Sequence, residues 1–258
     1  MGPVYAVDLH THTRFFHGFG PRPTAFDPAG VRLLSSMAAH RGLDGVALTN
    51  HDYTYRVGGE GQFLAADNAT DGGSRARGSN DTAPDASEQR DTGGEITTIP
   101  GIEISTTHGH LLVIGPDPPQ STQPGSLTPE EATDLAHDRG CATILPHPFR
   151  NSVVRNSSAE FDAVELNGKT GKNHDAARAL AADCDLPVVG GSDAHYPFEV
   201  GRAFTRIDTQ ELTPRTVVDA IRDGRVEPVI ACPDAVQRVL EPAYRLVHWG
   251  KGHTRATE

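Results

Sequence analysis

Val4-Tyr5-Ala6-Val7-Asp8-Leu9-His10-Thr11-His12 is the stretch on which the fold turns. Val4–Leu9 is a short apolar run that reads as a buried strand, and it leads straight into His-x-His. In extended backbone, residues i and i+2 point to the same side, so His10 and His12 can address one cation together. A lone His-x-His is more often an ordinary surface pair than a ligand pair, but the same grammar recurs along the chain. Gly45–Thr49 runs into Asn50-His51-Asp52. The strand within Ile96–Ile104 ends at Glu103. Ala142–Leu145 runs into Pro146-His147-Pro148, and Val188–Val189 into Gly190-Gly191-Ser192-Asp193-Ala194-His195. Separate strands that all deliver His, Asp or Glu to their carboxyl ends are hard to explain by core packing. In parallel α/β folds that edge is where ligands and catalytic groups gather.

Helical patterns separate these runs. Pro28–Arg41 has Asp27 as N-cap and Gly42 beyond its end. Thr128–Arg139 opens with Thr128, Pro129 and Glu131, a capping box, and stops at Gly140. Asn173–Asp183 and Thr213–Asp223 read as two more helices. Leu111–Ile114, Ala163–Leu166, Ala203–Ile207 and Val229–Ile230 read as further strands. The alternation predicts an α/β fold with a mainly parallel sheet covered by helices. Arg56–Gly94 breaks the pattern. It is rich in Gly, Asp, Ser, Thr and Ala, has almost no apolar periodicity, and is expected to be a flexible surface insertion. Residues 1–230 are expected to form one domain and 231–258 a C-terminal extension that packs on it or frays.

The composition narrows the class. The formal net charge is −11, which disfavours an extended nucleic-acid surface. Only Lys169, Lys172 and Lys251 are lysines among 23 basic residues, and Asp outnumbers Glu. That bias suits a protein adapted to concentrated salt, and a GC-rich genome would produce the same preference for Arg over Lys. The three cysteines, Cys141, Cys184 and Cys232, are scattered, which argues against a disulfide framework or a thiolate zinc site. No leader-like or membrane-length apolar run is present, so a cytoplasmic protein is expected. Imidazoles and carboxylates without thiolates suit Mn²⁺, Fe²⁺ or Zn²⁺ in a reactive rather than a structural site.

Taken in order, Asp8-Leu9-His10-Thr11-His12-Thr13, Thr49-Asn50-His51-Asp52, Gly101-Ile102-Glu103-Ile104, Gly109-His110-Leu111-Leu112, Pro146-His147-Pro148 and Gly191-Ser192-Asp193-Ala194-His195 resemble the successive motifs of the PHP (polymerase and histidinol phosphatase) family. The stretch from Gly201-Arg202-Ala203 to Arg225 resembles the C-terminal segment of stand-alone members. The resemblance implies a distorted (β/α)7 barrel with a trinuclear metal site at the C-terminal rim of the strands. It implies a first metal on His10, His12, Glu103 and Asp193. It implies a second on His17, His51 and His195, and a third on His110 and His147 with Glu103 as a bridge. Many members carry Asp where this chain has His17, and His is a competent ligand there. His108 competes with His110, which is preferred because it directly precedes the apolar strand.

The implied chemistry is hydrolysis of a phosphate ester by a metal-activated hydroxide, with no protein nucleophile. Asp193, His195 and Asp52 are the candidates for proton delivery to the leaving alcohol. Arg150 and Arg14 are candidates for phosphate recognition. Asp8 and Asp52 are expected to orient neighbouring imidazoles. The expected substrate is a phosphorylated small metabolite or a nucleotide, with histidinol phosphate, nucleotide bisphosphates and oligonucleotides all open. The rival readings are a non-catalytic binding module and an amidohydrolase-like enzyme. The latter would need a metal-bridging lysine, for which Lys169 and Lys172 are the candidates.

Overall fold

In the computed structural model, residues 2–13, 28–55, 96–150 and 152–231 are described. Among them, one sheet contains β1 (Val4–Thr11), β2 (Gly45–Leu48), β3 (Thr97–Thr106), β4 (Gly109–Ile114), β5 (Ala142–Leu145), β6 (Ala163–Asn167), β7 (Val188–Gly191), β8 (Ala203–Asp208) and β9 (Val226–Ile230). Their spatial order is β7-β6-β5-β4-β3-β2-β1-β8-β9. The α-helices are α1 (Pro28–His40), α2 (Pro129–Asp138), α3 (His174–Asp183) and α4 (Pro214–Arg222). The expected insertion at 56–94, Arg14, His17, Cys232 and the C-terminal extension lie outside the described residues. No described helix is long and apolar enough to cross a membrane.

The expectation of a mainly parallel sheet needs correction. β1–β2, β2–β3, β5–β6 and β6–β7 pair in parallel, whereas β1–β8, β3–β4, β4–β5 and β8–β9 are antiparallel. The physical reason for the central reversal is the two-residue connection Thr107-His108 between β3 and β4. Parallel neighbours need a crossover of a dozen or more residues, and so short a link can only turn back. The distorted α/β barrel that was expected is present, and this reversal is one of its distortions.

The sheet nevertheless curls until it nearly closes. The β7 edge returns to β1 and β8. Gly190 N–H donates to Thr205 Oγ1 at 2.8 Å, and Thr205 Oγ1 donates to Gly190 O at 2.9 Å. Beyond β7, His12 N–H donates to Ala194 O at 3.0 Å. A β-carbon on Gly190 would lie 2.4 Å from Phe204 O, so only glycine permits this approach.

Strand alternation then sorts the side chains. The inward rows carry Val7 and Leu9, Ile99, Leu112 and Ile114, Ile144, Ala163, Val189 and Ile207, closed at one end by Val217, Val218 and Ile221 of α4. The outward rows meet the other helices. Val46 and Leu48 pack with Val31, Leu34 and Ala38 of α1. Ile102, Ile104, Leu111 and Val113 pack with Ala132 and Ala136 of α2, and Val164 and Leu166 with Ala177 and Ala181 of α3. Followed toward the opposite end, the inward rows turn polar: Ile99 gives way to Glu103, Ala163 to Glu165, and Leu112, running the other way, to His110. On β1 the register shifts between Asp8 and Thr11. That irregularity lets Leu9 join the core while His10 and His12, of the other parity, still face the polar end.

Candidate metal centre

Glu103 stands at the middle of the polar end, and its two oxygens face different histidines. Oε2 lies 3.4 Å from His10 Nε2, 3.3 Å from His12 Nε2 and 3.1 Å from His51 Nδ1. Oε1 lies 2.7 Å from His110 Nδ1 and 3.2 Å from His147 Nε2. Asp193 joins from the β7 end, with Oδ1 3.4 Å from His12 Nε2, 3.8 Å from His10 Nε2 and 3.1 Å from His195 Nδ1. His12 also packs against His51 and His195, with ring centroids 4.7 and 4.2 Å apart.

The structure thus gathers His10, His12, His51, Glu103, His110, His147, Asp193 and His195 at one place. Donor atoms within 4.8 Å of one another fall into three overlapping groups: His10, His12 and Glu103; His12, His51 and His195; and His51, Glu103 and His110. His108, in contrast, is exposed, and its Nδ1 meets Thr107 Oγ1.

The donor chemistry fits divalent cations. His10 Nε2, His12 Nε2, Glu103 Oε2 and Asp193 Oδ1 are buried and have no hydrogen-bond partner. Buried polar atoms are almost always paired because leaving them bare costs about 1–3 kcal/mol each. Several such atoms converging on shared points are explained by ions that they are built to hold.

Electrostatics agree. Burial alone would raise Glu103, yet the surrounding His51, His10 and His110 hold its carboxyl well below the usual range. Asp193 is likewise held well below, with Lys169 and Arg150 overriding burial. Burial pushes His12 and His51 down, toward the neutral imidazole that a metal requires. Burial also opposes protonation of His10, but Glu165, Glu103 and Asp193 outweigh it and raise that ring.

A ring of further side chains holds these groups. His10 Nδ1 lies 2.7 Å from Glu165 Oε1, while Glu165 Oε2 accepts His147 N–H at 2.9 Å and Asn167 Nδ2–H at 3.1 Å. One buried carboxylate therefore orients a ligand ring and a ligand backbone at once. Sequence reading missed Glu165. The signal was present: a Glu in the apolar strand Ala163-Val164-Glu165-Leu166, on the same parity as core residues, must find a partner.

Asp8 does not take the role expected of it. Its carboxylate accepts backbone N–H groups of Ser192, Gly201 and His10 rather than an imidazole, so it ties β1 to the loop after β7. Burial pushes its pKa up to about 6. Asp52 also departs from expectation. It accepts Ser105 N–H, Ser105 Oγ–H and Thr122 Oγ1–H, and so braces β3 rather than a histidine. In both, the oxygens are taken up by backbone and hydroxyl donors.

Backbone strain is concentrated here. Asp52, His147 and Asp193 have φ of +59°, +30° and +52°, a region that side-chain-bearing residues rarely adopt. Each costs on the order of 1–3 kcal/mol, and such costs gather at functional sites. The close packing can be tested at Gly191, where a β-carbon would lie 2.4 Å from Glu165 Oε1 and 2.6 Å from His10 Cβ. Gly191→Ala is expected to destabilise the fold by roughly 1–3 kcal/mol and to weaken metal retention about 10–100-fold by displacing the Glu165–His10 pair. Thermal melting and metal analysis check this, and wild-type metal retention would show the packing to be looser than drawn.

Arg150 and Lys169 complete the site. Arg150 Nη2 lies 2.8 Å from Asp193 Oδ2, and Lys169 Nζ lies 3.6 Å from Asp193 Oδ1 and 2.9 Å from His195 Nδ1. The sequence offers Lys169 only as a candidate metal-bridging lysine. Here it stands beside the carboxylate and touches the ring nitrogen of His195.

A near-closed mixed α/β sheet with a His/carboxylate cluster at one rim defines the class, and comparison with known proteins places it. Residues 171–226 match the PHP-associated C-terminal family model. The fold is that of PsfC from Pseudomonas syringae PB-5123 (19% identity, TM-score 0.65, covering 96% of this chain and 99% of that one). It is also found in a two-domain protein of Bacteroides vulgatus containing a predicted PHP-like metal-dependent phosphoesterase (19% identity, TM-score 0.54, covering 88% of this chain and 65% of that one). The uncharacterized protein MJ0417 of Methanocaldococcus jannaschii is 27% identical over 145 residues, 48% of this chain, and the match spans 60% of that relative. The chain thus carries a PHP-associated C-terminal segment at 171–226 and shares the fold of a protein containing a predicted PHP-like domain.

Proposed function

We propose that the protein is a metal-dependent phosphoesterase acting on a phosphate ester of a small metabolite or a nucleotide. The observation that carries this reading is Glu103, whose two oxygens divide the histidines between them as a bridging ligand does. His10, His12, Glu103 and Asp193 would hold one cation. Glu103, His110 and His147 would hold another, and His51 and His195 a third together with His17, which lies outside the described residues. Bound Mn²⁺, Fe²⁺ or Zn²⁺ would supply charge neutralisation at the phosphoryl group and lower the pKa of water toward about 7.

The residues of the chain then divide the remaining work. His10, His12, Glu103, His147 and Asp193 form the buried floor, whereas His51, His110 and His195 are partly exposed and mark the side from which substrate enters. Arg150 is partly exposed beside Asp193, in reach of an anion seated on that side. Of the groups weighed for proton delivery, Asp52 is engaged by Ser105 and Thr122, and Asp193 is held in its carboxylate form.

Removal of metal tests the reading. Protein treated with a chelator should lose hydrolysis of p-nitrophenyl phosphate and regain it with Mn²⁺, Fe²⁺ or Zn²⁺. Active protein shown by metal analysis to hold no transition metal would overturn it.

A further inference from the structure

Lys169 is held in place by a specific turn. Its backbone N–H donates to Asn167 Oδ1 at 2.9 Å. Gly168 before it packs so closely on the loop after β7 that a β-carbon would lie 3.0 Å from Arg202 Cβ and 3.2 Å from Ser192 Cα. The side chain is only 16% exposed and ends between Asp193, His195 and Glu199. Both carboxylates also have other partners. Glu199 Oε2 already accepts His195 N–H at 2.8 Å and Tyr196 N–H at 3.1 Å, and Asp193 has Arg150 at 2.8 Å. Lys169 stays 3.6 Å from both, and among the described residues its closest polar contact is the His195 ring.

Resting on the phosphoesterase reading, we propose that Lys169 contacts substrate, and that with Arg150 it receives the terminal phosphate of a phosphomonoester in preference to an internal diester. The two cations face opposite oxygens of Asp193, and so flank the place where a phosphoryl group meets the cluster. Asp193 and Glu199 offset part of the lysine's charge, and a phosphoryl group would add an anion between it and bound divalent cations. A monoester carries nearly two negative charges at neutral pH and three terminal oxygens. A diester carries one charge and offers two free oxygens, so a second cation selects the monoester.

The test compares Mn²⁺-loaded wild type with Lys169→Met and Lys169→Arg. Two substrates are used, p-nitrophenyl phosphate and bis(p-nitrophenyl) phosphate, and inorganic phosphate binding is measured by calorimetry. Lys169→Met is expected to lower the monoester-to-diester ratio of kcat/KM about tenfold or more, mainly through KM, and to weaken inorganic phosphate by a similar factor. Lys169→Arg should recover part of both. Parallel loss on the two substrates, or unaltered phosphate affinity, overturns the proposal. So does loss of Mn²⁺ from the Met variant, which would make the lysine a brace for Asp193. Wild type that cleaves neither ester and binds no phosphate overturns the phosphoesterase reading itself.

Discussion

Glu103→Gln should reduce phosphate-ester hydrolysis on the order of 10³-fold or more, because it removes the negative charge that two groups of histidines share. Gln keeps the volume and one carbonyl oxygen, so the barrel should still fold cooperatively. Its amide nitrogen cannot accept a cation, and it would face either the His10–His12–His51 side or the His110–His147 side. Metal analysis should therefore show a lost ion, whichever way the amide turns. Thermal melting separates this from unfolding. A folded Gln variant with full metal content and most of the wild-type kcat/KM would remove the bridge from the mechanism.

The second large effect is expected from a residue that need not touch metal. Glu165→Gln should weaken metal retention about 10–100-fold, the range found when a carboxylate behind a ligating histidine is lost. The variant keeps an acceptor for His10 Nδ1, but the amide NH₂ then points toward His147 N–H and Asn167 Nδ2–H, both donors. Both buried donors lose their partner, at about 1–3 kcal/mol each. Metal titration should show the weakened binding, and excess Mn²⁺ should restore much of the activity. Activity that excess metal cannot restore would make Glu165 part of the chemistry rather than its support.

Much of this arrangement was legible in the sequence, because strand periodicity and cap residues act locally. The runs ending in His10-Thr11-His12, Asn50-His51-Asp52 and Pro146-His147-Pro148 form β1, β2 and β5 close to their expected limits, and Thr128-Pro129 opens α2 with the anticipated capping box. Strand direction was less legible. Apolar runs look alike in either direction, and only the shortness of Thr107-His108 betrayed the reversal. The partners of Asp8 and Asp52 were misjudged for a related reason. Proximity in sequence to His10 and His51 suggested imidazole contacts, while their actual donors come from residues as distant as Gly201 and Thr122. The place of Lys169 beside Asp193 was not legible, because it depends on how closely Gly168 approaches the neighbouring loop.

The return of the β7 end to β1 has a consequence for how the protein comes into being. His10 and His12 are made early and Asp193 and His195 late, so a chain emerging from the ribosome cannot assemble the full cluster until the last third has been synthesised and the seam has shut. A metal held as proposed would then be a late arrival to a nearly finished barrel. It would rivet the earliest strand to one of the latest, so that losing it would loosen the seam rather than a single loop.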